Sequence, residues 1–187
     1  MACGGVGGYF GGLLSASGNE THFIARGKHL ESMSKNGLKI KCIEPKDFII
    51  KDASFTEDPK KVGTCDVILF CVKTISNKSL IPAMAPMVGE NTTIINLQNG
   101  IDNEKQIADI YGEEKVMGGS AYIFTSVTSP GVISQIGGPR KLVFGELKGQ
   151  ITDRSQKILD VMKTAKINAY LSENIEKELW TKFIFIC

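Results

Sequence analysis

The sequence is short of the features that mark several protein classes. No apolar run approaches the roughly 20 residues that span a bilayer. No basic leader followed by an apolar stretch opens the chain, so a secretory signal is not expected. An excess of one charge is also missing: 22 basic and 20 acidic residues leave a net charge of +2. That balance argues against nucleic acid or a membrane surface as a partner. Histidine occurs only as His22 and His29, neither with a partner at metal-ligand spacing; one reads as a strand residue, the other as a surface residue. The five cysteines, at 3, 42, 65, 71 and 187, form no C-x-x-C pair and are odd in number. Neither a disulfide framework nor a metal site is indicated. Cys65 and Cys71 flank or lie within an apolar run and read as small buried hydrophobes, and reduced thiols fit the cytoplasm. No internal repeat or linker interrupts the chain.

What is present is enough chain for a core. At 187 residues and 42% apolar, the sequence suits one domain or one and a fraction. Glycine is crowded at the start, where six of the first twelve residues are glycine. After it, residues 9–17 read as a helix, 20–25 as a strand and 28–36 as a second helix with Gly37 behind it. Residues 38–43 and 48–55 read as two strands joined through Pro45. Residues 66–72 are a near-continuous apolar run, the signature of a parallel strand covered on both faces. A helix at 78–88 limited by Pro82 and Pro86, a strand at 92–97 and a helix at 102–111 follow. This alternation predicts an α/β, doubly wound sheet. Residues 116–127, 132–136 and 141–146 then read as added antiparallel strands. A helix at 153–166, a short strand at 167–171 and a last helix from Ile175 close the chain. It ends on the apolar run Phe183-Ile184-Phe185-Ile186-Cys187, and truncation at both ends is the expectation.

The candidate chemistry collects where strands end, as expected for open α/β sheets. The stretch Ala2-Cys3-Gly4-Gly5-Val6-Gly7 is an imperfect G-x-G-x-x-G fingerprint with alanine in its first glycine position. A turn without Cβ atoms lets backbone N–H groups face a phosphate and lets a strand pack closely. A flexible glycine-rich terminus is the local alternative. Arg26 follows about 20 residues later, where the fingerprint places its ribose contact. Arginine suits a 2′-phosphate, hence NADP, and Lys28 is placed to assist; the alternative is a solvated loop charge. Lys73 follows the apolar strand, and Asn99 sits in Gln98-Asn99-Gly100 after the next. Each has a plain local explanation, solvation for one and a turn for the other. Lys182 lies on the last helix, two residues after the only tryptophan. Either Trp180 packs and Lys182 snorkels, or Lys182 is half-buried and protonates a carbonyl as hydride arrives. Ser120 and Tyr122 are placed near the same crevice without an assigned role.

The chain resembles the ketopantoate reductase (2-dehydropantoate 2-reductase) family. The matching pieces are Gly4-Gly5-Val6-Gly7-Gly8-Tyr9-Phe10-Gly11, Ala25-Arg26-Gly27, Asn36-Gly37-Leu38, Cys71-Val72-Lys73, Leu97-Gln98-Asn99-Gly100, Ser129-Pro130-Gly131, Phe144-Gly145-Glu146 and Glu178-Leu179-Trp180-Thr181-Lys182. The resemblance implies a Rossmann-type domain binding NADPH at 1–172, lacking its first strand, and the start of a helical substrate and dimerisation domain at 173–187. It implies reduction of the small 2-keto acid 2-dehydropantoate to pantoate, toward pantothenate and coenzyme A. By position, Gly4, Gly5, Val6 and Gly7 would serve the pyrophosphate and Arg26 the 2′-phosphate. Lys73 and Asn99 would line the cofactor edge, Asn99 would orient the ketone, and Lys182 would be the general acid. A homodimer would form through the absent helical domain.

Three departures stand against that pattern. The first fingerprint glycine is Ala2 and no strand precedes it, Ile186 stands where the family usually has asparagine one turn after the lysine, and the helical domain is absent. These 187 residues alone are therefore expected to be inactive. The alternatives are a non-catalytic NADP(H)-binding paralogue or fragment and a reductase of another 2-keto acid.

Overall fold

The computed structural model describes residues 3–43 and 46–186. Ala2, Pro45 and Cys187, which carry the altered fingerprint position, a strand connection and the end of the apolar run, lie outside the described residues. Helix α1 (Gly5–Ala16) comes first, then strand β1 (His22–Ile24), helix α2 (Gly27–Asn36) and strands β2 (Leu38–Lys41), β3 (Phe48–Ile50), β4 (Ser54–Thr56) and β5 (Val67–Phe70). Helix α3 (Asn77–Ala83), strand β6 (Thr93–Asn96), helix α4 (Asn103–Tyr111) and strands β7 (Val116–Ser129) and β8 (Val132–Glu146) follow. Helix α5 (Asp153–Thr164), strand β9 (Asn168–Leu171) and helix α6 (Ile175–Ile186) complete the chain.

Local chemistry sets several of these boundaries. Helix α2 stops because Gly37 takes φ +79 and its N–H donates to the Met33 carbonyl at 2.8 Å. Helix α5 starts on a capping box, with Thr152 and Ser155 bonding each other's backbone N–H groups. Helix α3 is cut short around Pro82 and hands over to a 3-10 turn at Ala85–Met87.

The main sheet has seven strands in the order β3-β2-β8-β7-β6-β5, with β9 beside β8. Strands β5, β6 and β7 run parallel. Strand β8 returns antiparallel along β7 through the Pro130-Gly131 turn. Its other edge takes two parallel partners in succession: β2, with Lys39 opposite Val132, and β9, with Lys141 opposite Asn168. Strands β1 and β4 pair parallel as a separate two-stranded sheet. The result is the α/β, Rossmann-like architecture expected.

Five expectations are corrected. Helix α1 begins at Gly5, not residue 9, so the glycines are its first turns rather than a loop before it. Residues 48–55 are not one strand: β3 pairs with β2 while β4 pairs with β1, in different sheets. Residues 132–136 and 141–146 are one strand, because the Gly137-Gly138 stretch is absorbed as an irregularity opposite Phe124, with Gly138 at φ +81. His29 is not a free surface residue; its Nδ1 accepts from the Gly131 N–H at 2.9 Å and ties α2 to the hairpin turn. Cys65 and Cys71 are only partly buried, whereas Cys3 is buried.

Helix α1 packs at backbone distance, which explains its composition. A Cβ on Gly5 would sit 2.7 Å from the Thr125 carbonyl oxygen, and one on Gly8 would overlap Ile133. Phe10 and Tyr9 fill the gaps between these contacts and are fully or nearly buried. A second apolar cluster, with Phe70, Ile94, Ile81, Met84 and Ile107, joins β5 and β6 to α3 and α4.

Candidate functional site

The glycine turn presents an uncapped helix end. Gly4 is the residue before α1, extended at φ −88 and ψ −165, and it has no side chain to cap the first-turn N–H groups. Its carbonyl accepts from Gly8 at 2.8 Å, which leaves the N–H groups of Gly5, Val6 and Gly7 facing outward. A Cβ built on Gly4 meets nothing within 4 Å, so space lies open above the turn. An uncapped helix end over open space attracts an anion. Cys3 anchors the turn from behind: its N–H donates to the Ile24 carbonyl at 2.8 Å. Burial pushes the Cys3 thiol up to about 12, so no thiolate competes for that anion.

Arg26 follows β1 directly. It is exposed, extended at φ −145, and takes the residue position before α2 without capping it. Among the described residues no hydrogen bond or ion pair engages its guanidinium, so the fork is free for a ligand. Lys28 is exposed two residues on. Lys73, also exposed, follows β5 and precedes a 3-10 turn at Thr74–Ser76. Asn99 follows β6 with its side chain exposed, and its carbonyl accepts from the Asn103 Nδ2 at 3.0 Å.

Beneath Lys73 and Asn99 lies a buried amide relay that sequence reasoning missed. Gln98 Nε2 donates to the Val72 carbonyl at 2.8 Å and to Asn77 Oδ1 at 2.7 Å. Asn77 Nδ2 passes the chain on to Asn103 Oδ1 at 2.9 Å and Gln106 Oε1 at 3.0 Å. The ends of β5 and β6 and the starts of α3 and α4 are thereby held in one register. Asn96, fully buried, donates to Glu104 Oε1 at 2.8 Å, and burial raises the Glu104 carboxyl despite that bond. The signal available in the sequence was amides beginning two helices, Asn77 and Asn103, at turns that also hold Lys73 and Asn99.

Of the tryptophan and the lysine on α6, the lysine is the buried one. Trp180 is 46% exposed and Lys182 only 9%. Helix α6 rests on β7 and β8 through Ile175 and Leu179, which fit over Gly118; a Cβ there would lie 2.9 Å from Ile175. That contact turns Lys182 inward. Its Nζ donates to the Ala121 carbonyl at 2.9 Å and lies 5.6 Å from the Tyr122 ring centroid. Burial lowers the amine from 10.5 to about 8, the direction desolvation gives a cation. Tyr122, unassigned from sequence, is thus part of the lysine's surroundings, and Ser120 is fully buried with an unpartnered hydroxyl.

The strand ends place these residues in two groups. Lys73, Asn99 and Lys182 stand past the ends of the adjacent strands β5 and β6 and along β7, where Asn96 pairs with Gly118 and Ala121 comes three residues later. The glycine turn and Arg26 stand together at the end of β1. No hydrogen bond or ion pair joins Arg26, Lys73, Asn99 and Lys182 to one another among the described residues. Among those residues no cluster of histidine, cysteine or carboxylate could hold a metal ion, and no helix is long and apolar enough to cross a membrane.

The chain is similar along its length to known proteins. An oxidoreductase of Bacillus subtilis, YkpB, is 30% identical over 189 residues, covering 100% of this chain and 60% of its own length. The 2-dehydropantoate 2-reductase of a Nostoc species is 27% identical, covering 99% of this chain and 59% of its own. The crystal structure of 2-dehydropantoate 2-reductase from Porphyromonas gingivalis superposes with a TM-score of 0.90 at 32% identity, covering 99% of this chain and 67% of that one. The chain thus spans about 60% of the length of the curated relatives it matches. Residues 2–149 match the family described as ketopantoate reductase PanE/ApbA, and the chain belongs to that family.

Proposed function

We propose that this chain is the nucleotide-binding part of an NADPH-dependent reductase of a small 2-keto acid, with 2-dehydropantoate the substrate and pantoate the product. The observation that carries the reading is the buried Lys182 amine, held against the Ala121 carbonyl past the end of β6. A protein that only binds a nucleotide gains nothing from burying a cation.

The residues present fit the cofactor. Gly4, Gly5, Val6 and Gly7 offer backbone N–H groups to the pyrophosphate, and the free Arg26 fork suits the 2′-phosphate. Lys73 and Asn99 would line the edge of the bound cofactor. When bound, NADPH supplies the hydride that reduces the carbonyl carbon. Lys182 gives its proton to the carbonyl oxygen, completing the alcohol. With its amine at about 8, Lys182 remains protonated near neutrality yet releases its proton more readily than an ordinary lysine. Asn99 orients the ketone by donating from its amide. The amide relay keeps the Asn99 backbone fixed through Asn103 while the side chain stays free.

In this reading 1–172 forms the NADPH domain and 173–187 begins a helical domain for substrate and dimer contacts. The exposure of Ile184 and Phe185, at 72% and 80%, supports such a continuation of the apolar surface. The reduced thiols of Cys3, Cys65 and Cys71 fit a cytoplasmic setting. A non-catalytic NADP(H) binder is the second reading, favoured by Ala2 in the fingerprint and by Ile186. In a polypeptide of the relatives' full length, Lys182→Ala is expected to abolish most NADPH-dependent turnover of 2-dehydropantoate while NADPH binding persists. Unchanged turnover refutes the lysine's role, and no turnover by the parent protein favours the second reading. Arg26→Ala is expected to weaken NADPH roughly 10–100-fold, the worth of charge-assisted hydrogen bonds, and to leave NADH unaffected; equal loss for both removes the 2′-phosphate role.

A further inference from the structure

A cavity of about 810 Å3 opens between α1, from its second turn onward, the middle of β8 and the connection from α5 to β9. None of Gly4, Arg26, Lys73, Asn99 and Lys182 lines it. Tyr9, Leu13 and Ile167 form its buried apolar wall, and Lys46, Arg140 and Lys166 its basic border. No described carboxylate lines it; Asp47 accepts from the Cys42 N–H instead. Tyr9 is only 2% exposed, and its hydroxyl makes no hydrogen bond to any described residue. Burial raises that hydroxyl's pKa against the opposing charge of Arg140, so it keeps its proton and stands as a donor without an acceptor. Arg140 has an interaction of its own and adds charge to the border rather than a free fork. Lys166 and Arg140 are also, among the described residues, the only ones other than glycine with left-handed backbone, at φ +57 and +54. At Lys166 the local requirement is plain. Its N–H donates to the Lys163 carbonyl and that of Ile167 to Met162, a helix ending that ordinarily calls for glycine. Lysine is the costlier choice there, because its Cβ crowds the following carbonyl. The helix dipole does not account for it, since Lys163 already gives the last turn of α5 a cation. What glycine could not supply is an ammonium group at the border of this cavity.

We infer that this cavity binds a small organic anion: a carboxylate or phosphate head on a compact apolar body. The head accepts from the Tyr9 hydroxyl and the Lys166 ammonium, and the body lies against Leu13 and Ile167. Lys46 and Arg140 add positive charge at the mouth, which favours entry of an anion. An apolar wall with a few polar groups converging on it is the usual make-up of a small-molecule site, and the volume lies in the usual range. The site is separate from the glycine turn and does not depend on which nucleotide or keto acid the protein takes.

The test titrates the full 187-residue chain with phenylacetate, phenyl phosphate, phenylacetamide and inorganic phosphate, read by calorimetry and by NMR shifts of the backbone amides. At least one of the two organic anions is expected to bind about tenfold or more tighter than the neutral amide and than inorganic phosphate. The better of the two identifies the head. Binding is expected to shift the Lys166 and Ile167 amides most, and saturating NADPH is expected to leave it unchanged within about twofold. Lys166→Gly is expected to bind about tenfold more weakly while melting about 2 °C higher, because glycine relieves the left-handed backbone. Tyr9→Phe keeps the ring packing and is expected to bind about fivefold more weakly without melting lower. Failure of both organic anions to bind overturns the site. Equal binding of phenylacetamide overturns the anionic head, and equal binding of inorganic phosphate overturns the apolar body. Loss of binding in the presence of NADPH assigns the anion to the nucleotide site instead. A Lys166→Gly form that melts higher but binds as before overturns the role of the lysine.

Discussion

Replacing Lys182 with methionine keeps the apolar stem and removes the charge, and its effect on stability should change with pH. Burial lowers the amine from 10.5 in the unfolded chain to about 8 in the fold. At about 1.4 kcal/mol for each tenfold change in proton affinity, holding the cation in place costs about 3 kcal/mol near pH 7. Methionine removes that cost but leaves the Ala121 carbonyl without its donor, a loss of about 1–2 kcal/mol. The variant is thus expected to be about 1–2 kcal/mol more stable near pH 7. The sign of the pH dependence follows from proton counting. Between 8 and 10.5 the unfolded wild-type chain keeps a proton that the folded chain has released. Wild-type stability therefore rises with pH through that window, and the penalty is gone above it. The variant has no such group, so its advantage should shrink by about 2 kcal/mol between roughly pH 7 and 9.5. Urea unfolding of both proteins at three pH values measures this directly, since other titrating groups cancel in the difference. A stability difference that stays flat across the range refutes the burial of a charged amine at this site.

Three further outcomes are expected. Gly5→Ala drives a Cβ against the Thr125 carbonyl and should cost about 1–3 kcal/mol in urea unfolding, whereas Gly4→Ala, which meets nothing, should stay within about 0.5 kcal/mol. Asn77→Leu strands Gln98 and Asn103 in the buried relay and should cost about 2–3 kcal/mol. Arg154 donates to both Glu146 carboxylate oxygens, and Thr152 adds a bond at 2.6 Å. Burial alone would raise the Glu146 carboxyl, but these bonds outweigh it and hold it below 4.5. Arg154→Met should cost about 2–3 kcal/mol near pH 7. That difference should fade as pH drops through the folded Glu146 value, because the stabilisation is present above 4.5 and lost on protonation.

Where the sequence was readable, short-range chemistry set the outcome. Gly37 and Gly112 end helices because only they take the positive φ those positions need. The apolar run at β5 and the strand at β6 were plain from composition, and with them the positions of Lys73 and Asn99. What escaped was decided by distant partners. The break of residues 48–55 into β3 and β4 depends on β2 and β1 competing for the two halves. The inward turn of Lys182 depends on Gly118, more than sixty residues away, admitting α6 close to β7. Helix α1 starts earlier than propensity implies, since glycine is a poor helix former. Gly5 and Gly8 are tolerated there because contact with Thr125 and Ile133 replaces what propensity withholds.

The double partnership of β8 has a consequence for how the chain is made. Lys39 pairs with Val132, so β2, which has β3 close by on one side, must wait for 93 further residues before its other partner, β8, exists. At about 5–20 residues per second of synthesis, that wait is roughly 5–20 s. Through it the apolar residues Leu38 and Ile40, fully buried in the finished fold, have only β3 to pair with. Only when the β7–β8 hairpin has emerged can β2 enter the main sheet. Helix α1 waits on the same hairpin, because Gly5 and Gly8 pack against Thr125 and Ile133, more than a hundred residues further along the chain.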